Sequence, residues 1–219
     1  MSQAKDEQNL RRERSFSRLK QHQVPYIEHL PPIEPEAQTH RRTSSEIGLR
    51  IICLALVSMK GAGADHDFIL NGVRHYGVMD DFSPSERYFL LETEPTEHNK
   101  LQFSWSVEAA HALLWSVRQV DELDFPTAPC DWNAFWKGFH ECDRDTFLGR
   151  LSLRQQAVIL DETDLIYRLH WASRDADLTG RAQPSKLNLS VVMERHKALN
   201  WLTTHIDDAI HWDDVPTDT

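Results

Sequence analysis

Cysteine and glycine are both scarce in this chain of 219 residues, which has three cysteines and eight glycines. Cys53, Cys130 and Cys142 are odd in number and lack paired spacing, which argues against a disulfide framework and indicates a reducing compartment. No apolar run approaches the ~20 residues of a bilayer-spanning helix, and the first residues lack a signal-peptide pattern. We therefore expect a soluble, cytoplasmic protein without membrane association.

The usual signatures of metal and catalytic sites are also missing. The chain has no paired Cys-x-x-Cys, no His-Glu-x-x-His, no calcium-loop spacing, no Gly-x-Ser-x-Gly and no phosphate-binding glycine loop. His140, Glu141 and Cys142 follow Cys130 with a spacing too loose for zinc. We therefore predict no metal and no cofactor.

Basic residues are outnumbered, with 24 lysines and arginines against 34 aspartates and glutamates, and the formal net charge is -10. Such a chain is a poor electrostatic partner for phosphate backbones, so we expect no nucleic acid partner. Residues 1–60 are an exception, with ten basic and seven acidic residues. We expect this basic segment to pack on the acidic rest of the chain. Its arginines near the start are nevertheless typical of a solvated helix face: Arg11, Arg12, Arg14 and Arg18.

Helix signals dominate, and strand patterns of period two are weak. Residues 8–21 read as a charged helix, and the prolines from Pro25 to Pro35 predict an extended connector. Capping boxes predict helix starts at Thr43/Glu46, Ser83/Glu86 and Ser152/Gln155, and Asn188 predicts the start of a last helix. We predict an all-α fold: a single orthogonal domain of about seven or eight helices over residues 41–219, preceded by a helical arm and Pro-rich connector over residues 1–40.

Apolar residues at helical spacing predict which faces are buried. Over residues 152–178 and in the last helix, the predicted inward positions are Val158, Leu165, Leu169, Ala172 and Ala176, then Val192, Leu199, Leu202 and Ile206. The segment 95–120 is apolar on both sides, which predicts one central buried helix. Glu108 lies on this helix between Trp105 and Trp115.

Several blocks of the chain carry a family resemblance. They are Val24-Pro25, Leu30-Pro31-Pro32-Ile33, Arg42-Thr43 with Glu46-Ile47, Ser83-Pro84-Ser85-Glu86-Arg87, Phe103-Ser104-Trp105 with Glu108-Ala109, Leu113-Leu114-Trp115, and the C-terminal blocks 164–171, 194–202 and 212–219. In this order they resemble the bacterial domain of unknown function family numbered 4272. The resemblance covers nearly the whole chain, implies a single bacterial intracellular domain and supplies no catalytic residue.

Glu108 is the sharpest single candidate for a functional group. A carboxylate between tryptophans in an apolar helix is desolvated, which raises its pKa toward the range of a general acid or base. The alternative, which we favour, is a structural carboxylate satisfied by a buried arginine or by backbone amides.

The last third of the chain supplies the other candidates. His196 and Asn200 share one flank of the last helix beside Glu194, Arg195 and Trp201, so both can face one pocket or serve as scaffold. Asp164 and Arg168 are spaced for an ordinary helix-surface ion pair, and His170 with Arg174 indicates an outer face. We also expect the tail 212–219 to dock, with Trp212 in an apolar groove and Asp213 or Asp214 paired to an arginine such as Arg168, Arg174 or Arg195.

Two functional hypotheses from different classes follow. The first is a non-catalytic binding or interaction module, whose acidic surface or Trp-lined groove receives a protein partner. The second is a hydrolase or proton-transfer enzyme in which Glu108, His196, Asn200 and the terminal aspartates share a pocket, with or without a metal. The distance between Glu108 and His196 discriminates the two, because an acid–base pair must lie within hydrogen-bond or one-water reach.

Overall fold

The computed structural model describes residues 2–131, 142–208 and 210–219 of the chain. Within these ranges there are eight α-helices of eight residues or more, one helix of six residues and no β-strand. The helices are α1 (Ser2–Gln21), α2 (Ser44–Gly61), α3 (His66–Tyr76), α4 (Pro84–Leu91), α5 (Glu97–Ser104), α6 (Ser106–Ser116), α7 (Arg144–Gly149), α8 (Gln156–Leu178) and α9 (Leu189–Leu202). The predicted all-α single domain is confirmed. His140 and Glu141, which were considered above as zinc ligands, lie outside the described residues.

Helix α2 forms the centre of the domain and is buried along most of its length. It packs on α6, α5 and α3, while α9 lies between α6 and α8, and α1 covers the far side of α8. One continuous hydrophobic core runs through this arrangement. Phe16 and Leu19 of α1 belong to that core, so the predicted arm of residues 1–40 packs directly on the rest of the chain. None of the described helices is long and apolar enough to cross a membrane.

Side-chain caps set several helix starts as the sequence predicts. Thr43 and Ser83 each form a complete capping box, with Glu46 and Glu86 respectively. Asn188 accepts hydrogen bonds from two backbone amides at the start of α9. These contacts depend only on residues within one turn, so the local sequence specifies them.

The predicted capping box at Ser152 and Gln155 is wrong. Helix α8 begins at Gln156, and Gln155 makes no side-chain cap. The backbone amides of Ser152 and Arg154 instead donate to the carbonyls of Val117 and Ser116, at the end of α6. A tertiary contact therefore takes the place of the local cap.

The predicted central helix of residues 95–120 is two helices, α5 and α6, which meet at a bend at Trp105. The end of α5 passes very close to α2, because a Cβ atom added at Gly61 would lie 2.5 Å from the backbone nitrogen of Ser104. Glycine at position 61 permits this approach. The bend leaves Trp105 half-buried, whereas Trp115 is buried.

The basic helix α1 lies on the acidic helix α8, as the charge asymmetry predicts. Arg14 pairs with Asp161 at 2.5 Å and Arg18 pairs with Glu162 at 2.6 Å. Arg11 is buried and pairs with Glu7, so the interpretation as a solvated face is wrong for this residue. Opposite charge on α8 gives the arginines a partner within the same chain.

Two of the predicted inward positions are wrong. Val158 is 40% exposed, and its neighbours Ile159 and Leu160 are buried instead. Ile206 is 56% exposed, because α9 ends at Leu202 and helical spacing no longer applies beyond it. The other predicted inward positions of α8 and α9 are buried.

The C-terminal tail docks on the domain, with Trp212 buried as predicted. The ring of Trp212 meets the ring of Trp201 edge-on, with centroids 5.7 Å apart, and the guanidinium of Arg50 lies 5.2 Å from its centroid. The predicted pairing of Asp213 or Asp214 with an arginine is wrong. Asp213 accepts hydrogen bonds from the backbone amide and hydroxyl of Ser85, at the start of α4, where the helix dipole favours a carboxylate.

Replacement of Trp212 by alanine is expected to destabilise the protein strongly. Loss of a buried tryptophan in a core typically costs ~3–5 kcal/mol, which lowers Tm by about 10 °C in a domain of this size. Thermal unfolding measured by circular dichroism checks this. Asp214→Asn is the matched control, since Asp214 is exposed on the same segment. A Trp212→Ala protein that melts with the control would contradict docking of the tail.

Candidate functional site

Glu108 is a fully buried carboxylate in the first turn of α6. Its Oε1 atom accepts a hydrogen bond of 2.6 Å from the backbone amide of Cys130, and its Oε2 atom lies 3.5 Å from Nη2 of Arg195. A buried arginine and a backbone amide therefore both contact the carboxylate. This environment matches the structural alternative for Glu108.

Arg195 extends the same network from α9. Its guanidinium is buried, and Nη1 donates a hydrogen bond of 2.6 Å to the backbone carbonyl of Asp124. The Asp124 carbonyl and the Cys130 amide both belong to residues 118–131, the segment after α6 that we call the pocket loop. The Glu108–Arg195 pair thus holds the pocket loop at two points.

Two further contacts fix the middle of the pocket loop. The ring of Phe125 stacks on the ring of His22 at the end of α1, with centroids 3.8 Å apart and planes within 6°. The carbonyl of Pro126 accepts a hydrogen bond of 2.8 Å from the backbone amide of Asn188. The loop is therefore tied to α1, α6 and α9, although it contains no regular secondary structure.

A pocket of about 760 Å³ lies between the pocket loop, α6, α7 and α9. Among the described residues, the pocket is lined by His111, Leu114, Gln119, Val120, Glu122, Asp124, Phe125, Thr127, Ala128, Pro129, Cys130, Asp131, Phe147, Arg150 and Arg195. Of these, only Arg195 is among the candidates taken from the sequence. The loop has no periodic pattern, so its part in a pocket depends on contacts that the sequence does not display.

The titratable groups in the pocket wall are poorly suited to nucleophilic chemistry. Burial, followed by the charge of Glu108, raises the pKa of the Cys130 thiol to about 12. Burial, followed by the charge of Arg195, lowers the pKa of His111. At neutral pH the wall therefore presents a thiol and an uncharged imidazole, because the reactive thiolate forms only near the thiol pKa.

His196 lies in a separate contact, between α9 and α8. Its Nδ1 atom is 2.8 Å from Nδ1 of His170, so one of these nitrogens carries the proton that the other accepts. His170 is only 3% exposed, and its predicted place on an outer face is wrong. Burial lowers the pKa of His170 to about 4 and that of His196 to about 3.

Asp164 and Arg168 form the predicted ion pair, but its predicted surface location is wrong. Both side chains are buried, and two hydrogen bonds of 2.8 and 3.0 Å join them. The Arg168 guanidinium lies 5.0 Å from the ring centroid of Phe16, because α1 covers this side of α8. Arg174 is partly exposed and pairs with Asp177 at 3.5 Å.

The remaining C-terminal candidates support the tail. Asn200 donates a hydrogen bond of 2.8 Å to the carbonyl of Pro216. The ring of Trp201 contacts Trp212, and the Arg42 guanidinium lies 3.9 Å from the centroid of the Trp201 ring. Glu194 is half-buried on α9. Burial, together with the charges of Glu108 and Glu86, raises its pKa to about 7 despite the nearby Lys197.

The catalytic candidates each have a different hydrogen-bond partner. Glu108 contacts Arg195, His196 contacts His170, and Asn200 contacts the tail. Glu108 and His196 are both described, and no hydrogen bond joins them. The described residues also contain no group of three or more His, Cys, Asp or Glu side chains able to hold a metal. The candidates are instead parts of three separate structural contacts.

The sequence profile described as Domain of unknown function (DUF4272) matches residues 11–215. The chain belongs to this family. No curated protein and no solved structure matches the chain. The matched range begins in α1 and ends at Val215, so it includes the pocket loop, the Glu108–Arg195 pair and Trp212.

The His170–His196 pair predicts how stability changes with pH. Both imidazoles stay neutral in the folded protein, whereas unfolded histidines bind protons near pH 6.5. Their contribution is therefore fully present above about pH 6.5 and is lost as the pH falls toward the folded pKa of His170, about 4. Each histidine contributes about 2 kcal/mol over this range, so a His170→Phe/His196→Met protein is expected to lose roughly 4 kcal/mol less unfolding free energy than the parent between pH 7 and 5.

Urea unfolding at both pH values measures this difference. The control is His98→Asn, since His98 is exposed on α5 and its replacement is expected to leave the pH dependence unchanged. Equal losses in the parent and the double variant would show that the buried pair does not exclude protons.

Proposed function

We propose that this domain is a non-catalytic binding module, and that the pocket beside the pocket loop receives a segment of a protein partner. The observation that carries the proposal is an open pocket of about 760 Å³ beside a loop that Glu108 and Arg195 hold by hydrogen bonds to its backbone. Ligand pockets typically enclose ~300–1,000 Å³ and combine apolar walls with a few polar groups. The volume and the lining both fit this description.

The contacts of Glu108 favour binding over catalysis. A general acid or base needs a proton path to the substrate, and both carboxylate oxygens of Glu108 face Cys130 and Arg195 instead. His196, the proposed acid–base partner in an enzyme, contacts His170. The hydrolase or proton-transfer alternative therefore draws no support from the geometry of its own candidate residues.

The fixed position of the pocket loop also supports a binding function. Recognition requires a surface whose shape is set before the ligand arrives, since ordering a flexible loop on binding reduces affinity. Contacts with His22, Glu108 and Arg195 hold this loop at three points. The pocket wall is thus pre-organised.

A displayed library of random heptapeptides tests the proposal. Ala128 is exposed and lines the pocket, so Ala128→Trp is expected to fill it. We expect peptides that bind the parent protein at least about tenfold more tightly than Ala128→Trp, which corresponds to ~1.4 kcal/mol of contact energy.

The matched control is Ala182→Trp, which adds the same side chain to an exposed alanine outside the pocket lining. It is expected to bind the selected peptides like the parent, and circular dichroism checks that both variants fold. If no peptide distinguishes the parent from Ala128→Trp, the pocket is not the binding site and the proposal fails.

A further inference from the structure

We infer that the occupant of the pocket is a basic peptide segment, in which a lysine or arginine is flanked by apolar residues. This inference rests on the proposed function and specifies the chemistry of the partner. Leu114, Val120, Phe125 and Phe147 supply apolar surface to the pocket wall. A purely polar or purely ionic ligand would leave this surface without a matching group.

The rim of the pocket adds negative charge to the apolar wall. Glu122 and Asp124 are exposed at the rim, and no ion pair is recorded for either side chain within the described part of the chain. Among the described lining residues with exposed side chains, Arg150 is the one cation. Two exposed carboxylates against one guanidinium favour a positively charged ligand.

The buried charges of the pocket do not reverse this balance. Glu108 offsets the charge of Arg195, and the lowered pKa of His111 keeps that imidazole neutral. The whole chain has a formal charge of -10, so its long-range field also attracts cations. Local and overall electrostatics therefore select the same sign of ligand.

Arg195 favours a peptide over a simple amine. Its side chain contributes to the pocket lining, is about 97% buried, and leaves Nε without a hydrogen-bond acceptor among the described residues. A peptide carbonyl is neutral, so it can accept from the guanidinium without placing a second negative charge beside Glu108. A polyamine has positive charge but no such acceptor.

Isothermal titration calorimetry with three synthetic peptides tests the inference. The peptides are acetylated and amidated Leu-Lys-Phe-Lys-Leu and its counterparts with glutamate or glutamine in place of lysine. In about 50 mM salt, where screening is limited, the lysine peptide is expected to bind at least about tenfold more tightly than either counterpart. Equal affinity for the lysine and glutamine peptides would overturn the inference.

Charge-matched variants locate the interaction at the rim. Exposed charge pairs contribute ~0.2–1 kcal/mol each, so Glu122→Gln/Asp124→Asn is expected to weaken the lysine peptide about fivefold. The control Glu97→Gln/Asp80→Asn removes the same charge from α5 and from the loop before α4, outside the lining, and is expected to leave the affinity unchanged. Equal weakening in both variants would mean that only the net charge matters, and would overturn the rim as the recognition site.

Two further outcomes separate this inference from the proposed function. Spermidine that binds the pocket as tightly as the lysine peptide would overturn the choice of a peptide. Library peptides that depend on Ala128 but lack lysine and arginine would overturn the basic occupant while leaving the binding function intact. Failure of the library to yield any such peptide contradicts both.

Discussion

The ion pair between Glu108 and Arg195 joins α6 to α9 inside the domain and holds the loop from which the pocket is built. Its two side chains bind the loop through the Cys130 amide and the Asp124 carbonyl. Removal of one partner of a buried pair typically costs ~3–5 kcal/mol, because the other charge is left uncompensated. The pocket and the stability of the core therefore depend on the same two residues.

A buried arginine–glutamate pair also occurs elsewhere in the domain. Arg50 of α2 pairs with Glu86 of α4, and both side chains are buried. Glu86 also accepts the backbone amide of Ser83, so this buried pair is combined with a helix cap. An acidic chain that buries arginines can compensate them with its own carboxylates, and these pairs then fix the relative positions of α2, α4, α6 and α9.

The sequence predicts those features that depend on neighbouring residues. Thr43, Ser83 and Asn188 were expected to cap helices, and Gly77 adopts the left-handed conformation (φ 62°) that ends α3. The burial of Trp212 also follows from composition. The caps and the Gly77 conformation depend on the residue itself or on partners within one turn, whereas the contacts of Trp212 come from Trp201 and Arg50.

Features that depend on distant elements were not predictable in the same way. Helical spacing predicted that Asp164 pairs with Arg168. The burial of this pair, however, requires α1 to cover that side of α8. His170 was assigned to an outer face because spacing along α8 does not show that His196 of α9 packs against it. The partners of Glu108 come from α9 and from the pocket loop, and no spacing rule connects positions 108, 130 and 195.

The amide hydrogen of Cys130 gives the most direct measurement of the central claim, that buried Glu108 holds the pocket loop. Its exchange with solvent, measured by NMR, is expected to be slow in the parent protein, since the amide donates to Glu108 Oε1 at 2.6 Å. In a Glu108→Ala protein that remains folded, this amide is expected to exchange at least about tenfold faster, while amides within α2 keep their protection. Exchange of the Cys130 amide at the rate of an unfolded peptide in the parent protein would contradict the account.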